Sequence, residues 1–468
     1  MREELPAGWI STTLGQVVGR PRAKAAPSEY PDLPFVGMDS IAPNGMGLLS
    51  VGRFGDMKSA GCIFEPGDVL YGRMRPYLNK VHRAHRRGAC SAEFIVMPAS
   101  DWLDGDFLAY LLHQRSFVNF ARAQCSGDRP RVDFESLAAF QFHLPPRAEQ
   151  ERIISRIEEL FSEIDEGERA LDRVQLLVER YRQSVLKAAV TGELTNDWRA
   201  HHAPCESKHV ESGRPSTLPP GWVWTQVARA GEVRLGRQRA PQHHQGDHMR
   251  PYLRVANVYE DRLELTDVKE MNFTPKEFET YALRPGDILL NEGQSPELVG
   301  RPAMYRGEIP GCCYQKTLLR FRARPGVLPD FALLVFRHYL HSGRFRRSAN
   351  ITTSIAHLAA ERFEPIEFPL PPESEQAAIV DSASALLGRL AHLEAELLTQ
   401  RSASRALREA TLKAAFSGEL VLQNPTDEPA SALLARLADG PSGTSPAPRR
   451  RGRPVEQAAS NRRTESAG

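Results

Sequence analysis

Leu144-Pro145-Pro146-Arg147-Ala148-Glu149-Gln150, followed by Ile153, Ile157, Leu160, Ile164, Leu171, Val174, Val178, Tyr181, Val185 and Ala188, is the stretch that decides the fold. Pro145 and Pro146 suit a helix start, where the amide that proline lacks has no partner anyway. The apolar residues then alternate steps of four and three, and only Gly167 interrupts the core positions. That is the a/d seam of a coiled coil, with charges such as Glu158, Glu159, Arg169 and Arg173 elsewhere. Gly192 stands where a C-terminal cap belongs. A second stretch opens with Leu370-Pro371-Pro372 and Glu375-Gln376 and runs through Ile379, Ala383, Leu386, Leu390, Leu393, Leu397 and Leu407 to Gly418. Its seam weakens at Gln400 and Ser404. A strict 3.5-residue seam wants a partner helix, and each copy is the only candidate the chain offers the other. The spacing therefore predicts two long helices paired antiparallel.

Working outward, the whole chain repeats. Leu5-Pro6-Ala7-Gly8-Trp9 returns as Leu218-Pro219-Pro220-Gly221-Trp222, and Pro66-Gly67-Asp68-Val69-Leu70 as Pro285-Gly286-Asp287-Ile288-Leu289. Leu186-Lys187-Ala188-Ala189 with Gly192-Glu193-Leu194 returns as Leu412-Lys413-Ala414-Ala415 with Gly418-Glu419-Leu420. The distance between matching positions grows from 213 (Leu5 to Leu218) through 219 (Pro66 to Pro285) to 226 (Leu144 to Leu370). A drifting offset of this length means duplicated domains with small insertions, not a solenoid of short modules. Two similar halves suit a pseudo-two-fold arrangement and a ligand that is itself two-fold, such as duplex DNA.

Each half begins with short apolar runs bounded by Pro, Gly and Asp, which read as strands: Phe35–Met38, Asp68–Tyr71 and Glu93–Met97, then Tyr252–Val255, Asp287–Leu290 and Thr317–Phe321. Asp106–Leu112 and Phe331–Phe336 have helical spacing. The fold class is α+β. The expected organisation is a first α/β domain over 1–143, a long spacer helix over 144–199 and a linker over 200–217. A second domain over 218–369, a second spacer over 370–422 and a disordered basic tail over 423–468 follow.

The 468 residues hold six cysteines without paired spacing, which favours a reducing cytoplasm over a disulfide framework. No apolar run approaches the ~20 residues that cross a bilayer, and the start has no export-signal pattern. The formal charge of +2 leaves nucleic-acid binding to local basic loops. No Walker loop, GxGxxG, Gly-x-Ser-x-Gly elbow or His-Glu-x-x-His occurs, so no catalytic constellation is expected. His201, His202, Cys205 and His209 lack a metal-ligand rhythm, and Glu206-Ser207-Lys208 lacks a convincing upstream Asp; a solvated linker explains both.

The candidate DNA contacts lie in loops. Arg73, Arg75, Tyr77, Asn79 and Lys80 follow a predicted strand and mix phosphate-binding cations with Arg and Asn, which pair bidentately with guanine and adenine edges. Arg129 and Arg131 form a second basic loop. In the other half the corresponding places hold Gln294, Ser295, Arg301, Gln315 and Lys316, with Arg237, Gln238 and Arg239 earlier and Asn350, Thr352, Thr353 and Ser354 opposite the Arg129 loop. Polar loops at equivalent positions with different side chains are what two modules recognising different sequences need. The tail's Arg449-Arg450-Arg451-Gly452-Arg453-Pro454 is a cationic segment that suits a narrow minor groove or simple solubility.

Two variable α+β regions, each followed by Leu-Pro-Pro-x-x-Glu-Gln and a heptad helix ending in Lys-Ala-Ala-x-x-Gly-Glu-Leu, together resemble the specificity subunit of type I restriction-modification enzymes. The openings at Trp9 and Trp222 and the run Gly192-Glu193-Leu194-Thr195 with Asp197-Trp198-Arg199 fit it too, and the likeness covers residues 1–422. It implies two target recognition domains reading the halves of a split sequence in double-stranded DNA, with the helices as a ruler. It also implies partnership with two methyltransferase subunits and with restriction-translocase subunits. The chain itself would bind no cofactor, S-adenosylmethionine and ATP belonging to those partners. A non-catalytic coiled-coil scaffold for proteins alone is the competing expectation.

Overall fold

The structure is a computed structural model describing residues 5–19, 22, 24–125, 129–202, 218–352 and 354–439. Its contacts divide the chain into two compact units, one of Met1–Ile164 with Arg405–Gly468 and one of Asp165–Ser404. Each long helix, Arg147–Thr191 and Glu373–Ser417, contributes to both units. Among the described residues no helix is long and apolar enough to cross a membrane.

In the first unit, the strand Ile10–Thr13 pairs antiparallel with Gln141–Leu144, so the end of the α/β region is tied to its start just before Pro145. Between them stand a five-stranded sheet and a three-stranded sheet. The five-stranded sheet contains a parallel pair, Pro34–Val36 beside Gly88–Ser91, and the three-stranded one is centred on Val69–Gly72. The helix Gly105–His113 begins where Asp104 accepts the Asp106 and Phe107 amides, a side-chain N-cap. Its apolar face joins Ile153, Ile154 and Ile157 of the first long helix and Leu412, Ala415 and Phe416 of the second in one core.

The second unit repeats this plan. Val223–Gln226 pairs antiparallel with Glu367–Leu370, Met249–Leu253 lies parallel to Cys313–Tyr314, and Ile288–Asn291 is an inner strand of a four-stranded sheet. The helix Pro329–His341 packs into a core with Val185, Leu186 and Ala189 of the first long helix and Ile379 and Ala383 of the second.

The repeated motifs do structural work that local reasoning could not assign. Gly67 and Gly286 turn with φ of 90° and 92°, a conformation that suits glycine, and deliver Asp68 and Asp287 into the interior. Asp68 accepts the Glu65 and Ala99 amides and the Arg22 guanidinium; Asp287 accepts the Arg284 amide and both arms of Arg322 at 2.6 Å. A buried carboxylate needs such partners, and the halves recruit their arginines from different places, Arg22 ahead of the strand Lys24–Ala25 and Arg322 within the strand Leu318–Ala323. Gln150 and Gln376 act as identical brackets. Each accepts one amide (Asp104, Leu328) at 2.8 Å and donates to two carbonyls, one of them that of the motif's first proline (Pro145, Pro371).

The long helices end at Gly192 and Gly418, with φ of 79° and 80°. A β-carbon on Gly192 would meet Pro219 at 2.5 Å, and one on Gly418 would meet Pro6 at 2.4 Å; Trp222 and Trp9 stand beside them. Each helix thus seats on the Leu-Pro-x-Gly-Trp opening of the other half.

Within the second unit the two helix portions run antiparallel. Asp172 pairs with Arg401 at 2.5 Å and Arg182 with Glu394 at 2.6 Å, around an apolar cluster of Leu171, Val178, Leu387, Leu390 and Leu397. The seam is narrower than the heptads predict. Val174, Tyr181, Leu393 and Leu407, expected in the seam, are exposed, and so are Leu177 and Leu398. Two helices bury one contact stripe, and apolar residues off that line stay in water.

The tail differs from expectation as well. Residues 423–439 are ordered against the first unit: Asp427 pairs with Arg152 at 2.7 Å, the Ala430 amide donates to Gly8, and Ala430 and Leu433 of the helix Ala430–Asp439 are buried. Arg449–Pro454 and the linker residues Cys205–His209 lie outside the described residues. Cys62, Cys90, Cys125, Cys312 and Cys313 are free thiols.

Replacing Asp287 by alanine strips Arg322 of its buried partner and should lower stability by about 3 kcal/mol in urea denaturation. A loss below ~1 kcal/mol would mean that the turn does not depend on this pair.

Candidate nucleic-acid interface

In the first unit the strand Val69–Gly72 runs directly into the basic loop, and hydrogen bonds lock that loop to the second one. The Arg73 amide donates to Glu93 at 2.9 Å, Val132 to the Arg73 carbonyl at 3.0 Å, and Arg75 to Pro130 at 2.8 Å, with Met74 bridged to Arg131. Two segments far apart in sequence therefore form one rim carrying Arg73, Arg75, Arg129 and Arg131. Arg75, Tyr77 and Arg129 are exposed. Arg131 pairs with Glu93 at 2.9 Å and stays half-exposed. Arg73 sits beside a recess of about 200 Å3 that it shares with Arg22, Lys24 and Asp133, and its Nε has no partner among the described residues. Exposed positive charge is gathered here, which suits phosphate and guanine contacts.

Two of the predicted contacts face inward. Asn79 is buried, left-handed at φ 40°, and its Nδ2 meets His113 Nδ1 at 3.0 Å. Lys80 donates to the Met38 carbonyl at 2.5 Å. Both close the loop around the turn Pro76–Leu78 and do not present themselves to a ligand.

The second unit builds the same rim from other side chains. The Glu292 amide donates to Thr317 at 3.0 Å and Leu358 to the Glu292 carbonyl at 2.8 Å, the same two bonds that Arg73 makes. Gly293–Gln294 then pairs with Ala356–His357, which pairs with Asn350–Ile351. Gln294 and Ser295 are half-buried at this rim, and the Ser295 carbonyl accepts the Leu298 and Val299 amides. Thr352 and Ser354 are exposed at the tip, where Thr352 Oγ1 donates to the Ile355 carbonyl; Thr353 lies outside the described residues. Beyond the Thr317 bond, Arg237 is bridged to Gln315 and the Lys316 amide donates to the Arg237 carbonyl. Gln238, Arg239 and Lys316 are exposed, Gln315 half-buried.

Arg237 itself is 5% exposed, and its expected DNA contact is corrected. Its guanidinium holds both oxygens of Glu277 at 2.8 and 3.0 Å and lies over the Phe273 ring. Burial alone would raise the Glu277 carboxyl, but the Thr274 amide and Arg237 bring it below its usual range. Arg301 likewise packs over the Tyr259 ring at 4.5 Å, and burial lowers its guanidinium from its usual value. Sequence reasoning missed Glu292, Glu93, Thr317 and His357 at the rim. The 219-residue offset that maps Pro66 to Pro285 also maps Arg73 to Glu292 and was the available signal.

No family model matches the chain. It is 24% identical over 304 residues to the type I restriction enzyme EcoKI specificity subunit of Escherichia coli strain K12, covering 63% of this chain and 62% of that protein. It is 29% identical over 202 residues to the EcoDI specificity subunit of Escherichia coli, covering 42% of this chain and 45% of that one. The chain thus spans less than two thirds of the length of these relatives. A solved chain from a type I restriction-modification system shares its fold with a TM-score of 0.71 at 21% identity, covering 89% of this chain and 99% of that one. The class that motifs and fold define is a duplicated α+β protein carrying long helices. The resemblance to specificity subunits of type I restriction enzymes holds in sequence, and the fold is shared with a chain solved in a type I restriction-modification system.

Arg237→Ala should lower stability by about 2–3 kcal/mol in urea denaturation, because a buried ion pair is broken. Lys316→Ala should stay within ~0.5 kcal/mol of the parent. Equal effects would contradict the division of these residues into a buried structural arginine and an exposed lysine.

Proposed function

We propose that this chain is the sequence-specific DNA-recognition subunit of a type I restriction-modification complex, reading a bipartite target in double-stranded DNA. The observation that carries the reading is the repeated rim: one backbone latch holds Arg73 in one unit and Glu292 in the other. An invariant frame with different polar side chains is the design of two readers with different half-sites.

In this reading residues 1–143 and 218–369 are the two target recognition domains, arranged with pseudo-two-fold symmetry, and the long helices form an antiparallel coiled coil between them. The opposed ion pairs of the second unit support the pairing. A 45-residue helix spans ~67 Å at ~1.5 Å per residue, the length of roughly 20 base pairs, which is room for two half-sites about one turn apart. Two methyltransferase subunits dock on these helices, where Val174, Leu177, Tyr181, Leu398 and Leu407 offer exposed apolar area. Restriction-translocase subunits join for cleavage. The chain catalyses nothing in this scheme: S-adenosylmethionine and ATP act on the partner subunits, in the cytoplasm.

Binding of the purified chain to duplex DNA should weaken steeply with salt. Arg75→Ala and Arg129→Ala should each reduce the slope of log K against log salt by about 1 if each arginine neutralises a phosphate. An unchanged slope in the double variant would remove the rim from the interface. Inserting four residues into the exposed middle of one long helix should also change the tolerated gap between half-sites, which methylation mapping would reveal. An unaltered gap would rule the helices out as a ruler.

A further inference from the structure

The two rims share a backbone and differ in charge at the latch residue. At the latch position the first unit places Arg73, and across from it Arg131 pairs with Glu93. At the same positions the second unit places Glu292, His357 and Thr317. The Glu292 carboxylate is 20% exposed, with His357 Nδ1 at 3.3 Å. Among the described residues no arginine or lysine pairs with it. A carboxylate on a surface that approaches a polyanion is repelled by every phosphate unless donors face it; His357 Nδ1 meets its two oxygens at 3.3 and 3.5 Å and leaves further lone pairs for a base-edge donor. In the major groove that donor is an exocyclic amino group, and a glutamate accepts from cytosine N4. Arg73 and Arg75 in the first unit match the opposite edge, the O6 and N7 acceptors of guanine.

We propose that Glu292 is a specificity-determining residue that reads the 4-amino group of a cytosine in the half-site of the second unit. The inference rests on the DNA-recognition reading above and adds which base one residue selects. Glu292 lies outside the buried ion-pair networks around Asp287 and Arg237, so it can be changed without emptying either.

The full chain, as the wild type, Glu292→Gln and Glu292→Arg, is incubated with duplexes carrying a randomised central segment, and the bound DNA is sequenced. Thermal melting of each variant accompanies the selection. The wild type should select cytosine at one position of one half-site. Glu292→Gln should lose roughly 5- to 150-fold of that discrimination, the equivalent of one base-edge contact. Glu292→Arg should move the preference towards guanine at that position, with the other half-site unchanged in both variants. Identical preferences at every position in variants that melt like the wild type would overturn the role of Glu292 alone. A wild type that selects no sequence would overturn both this inference and the DNA-recognition reading.

Discussion

The structure depends on how each long helix is allowed to end. Gly192 and Gly418 take a backbone conformation that other residues resist, and each lies so close to a proline and a tryptophan that no side chain fits. The Leu-Pro-x-Gly-Trp openings look in sequence like unremarkable entry points to two domains. In space they are sockets, and the residue each receives comes from the helix of the opposite half. The buried glutamine brackets at Gln150 and Gln376 fix the other end of each helix against its own domain. Every long helix is therefore fixed at one end by a buried glutamine bracket and at the other by a glycine seat, and its middle carries charge and exposed apolar residues beside the cluster around Val178 and Leu390.

That arrangement explains why the repeat survives while the rims diverge. Residues that bracket, seat or turn the backbone have partners chosen by geometry, and changing them leaves a buried polar group unsatisfied. Residues at the latch of the rim are attached through main-chain bonds, which do not depend on which side chain they carry. Arg73 and Glu292 make the same two backbone hydrogen bonds.

Much of this was legible in the sequence because it is periodic or duplicated. The heptads located both long helices to within a few residues, and the short apolar runs located the central strands at Val69–Gly72 and Ile288–Asn291. Exposure within the seam was not legible: Val174 and Tyr181 obey the heptad and still face solvent, because a spacing rule does not say how many helices share the stripe. The candidate site was half legible. Arg75 and Arg129 are exposed as composition suggests, whereas Arg237 and Asn79 are buried by tertiary partners, Glu277 and His113, that lie 40 and 34 residues away. The ordered helix Ala430–Asp439 was hidden by the polar composition around it, since two buried residues suffice to anchor ten.

The buried acids beneath the two sockets are not treated alike. Glu375 receives Thr195, Arg199 and the Trp222 indole, whereas Glu149 has the Trp9 indole and Gln423 to set against burial, which pushes its carboxyl up. The segment that follows Gly418 uses its acid, Asp427, to hold Arg152 on the outside of the helix. Gene conversion between the halves would therefore be uneven. Copying the segment after Gly192 into the place after Gly418 brings an arginine to Glu149 but orphans Arg152, and the reverse copy leaves Glu375 without its cation. The two junctions share a backbone but not their ion pairs, so neither can stand in for the other.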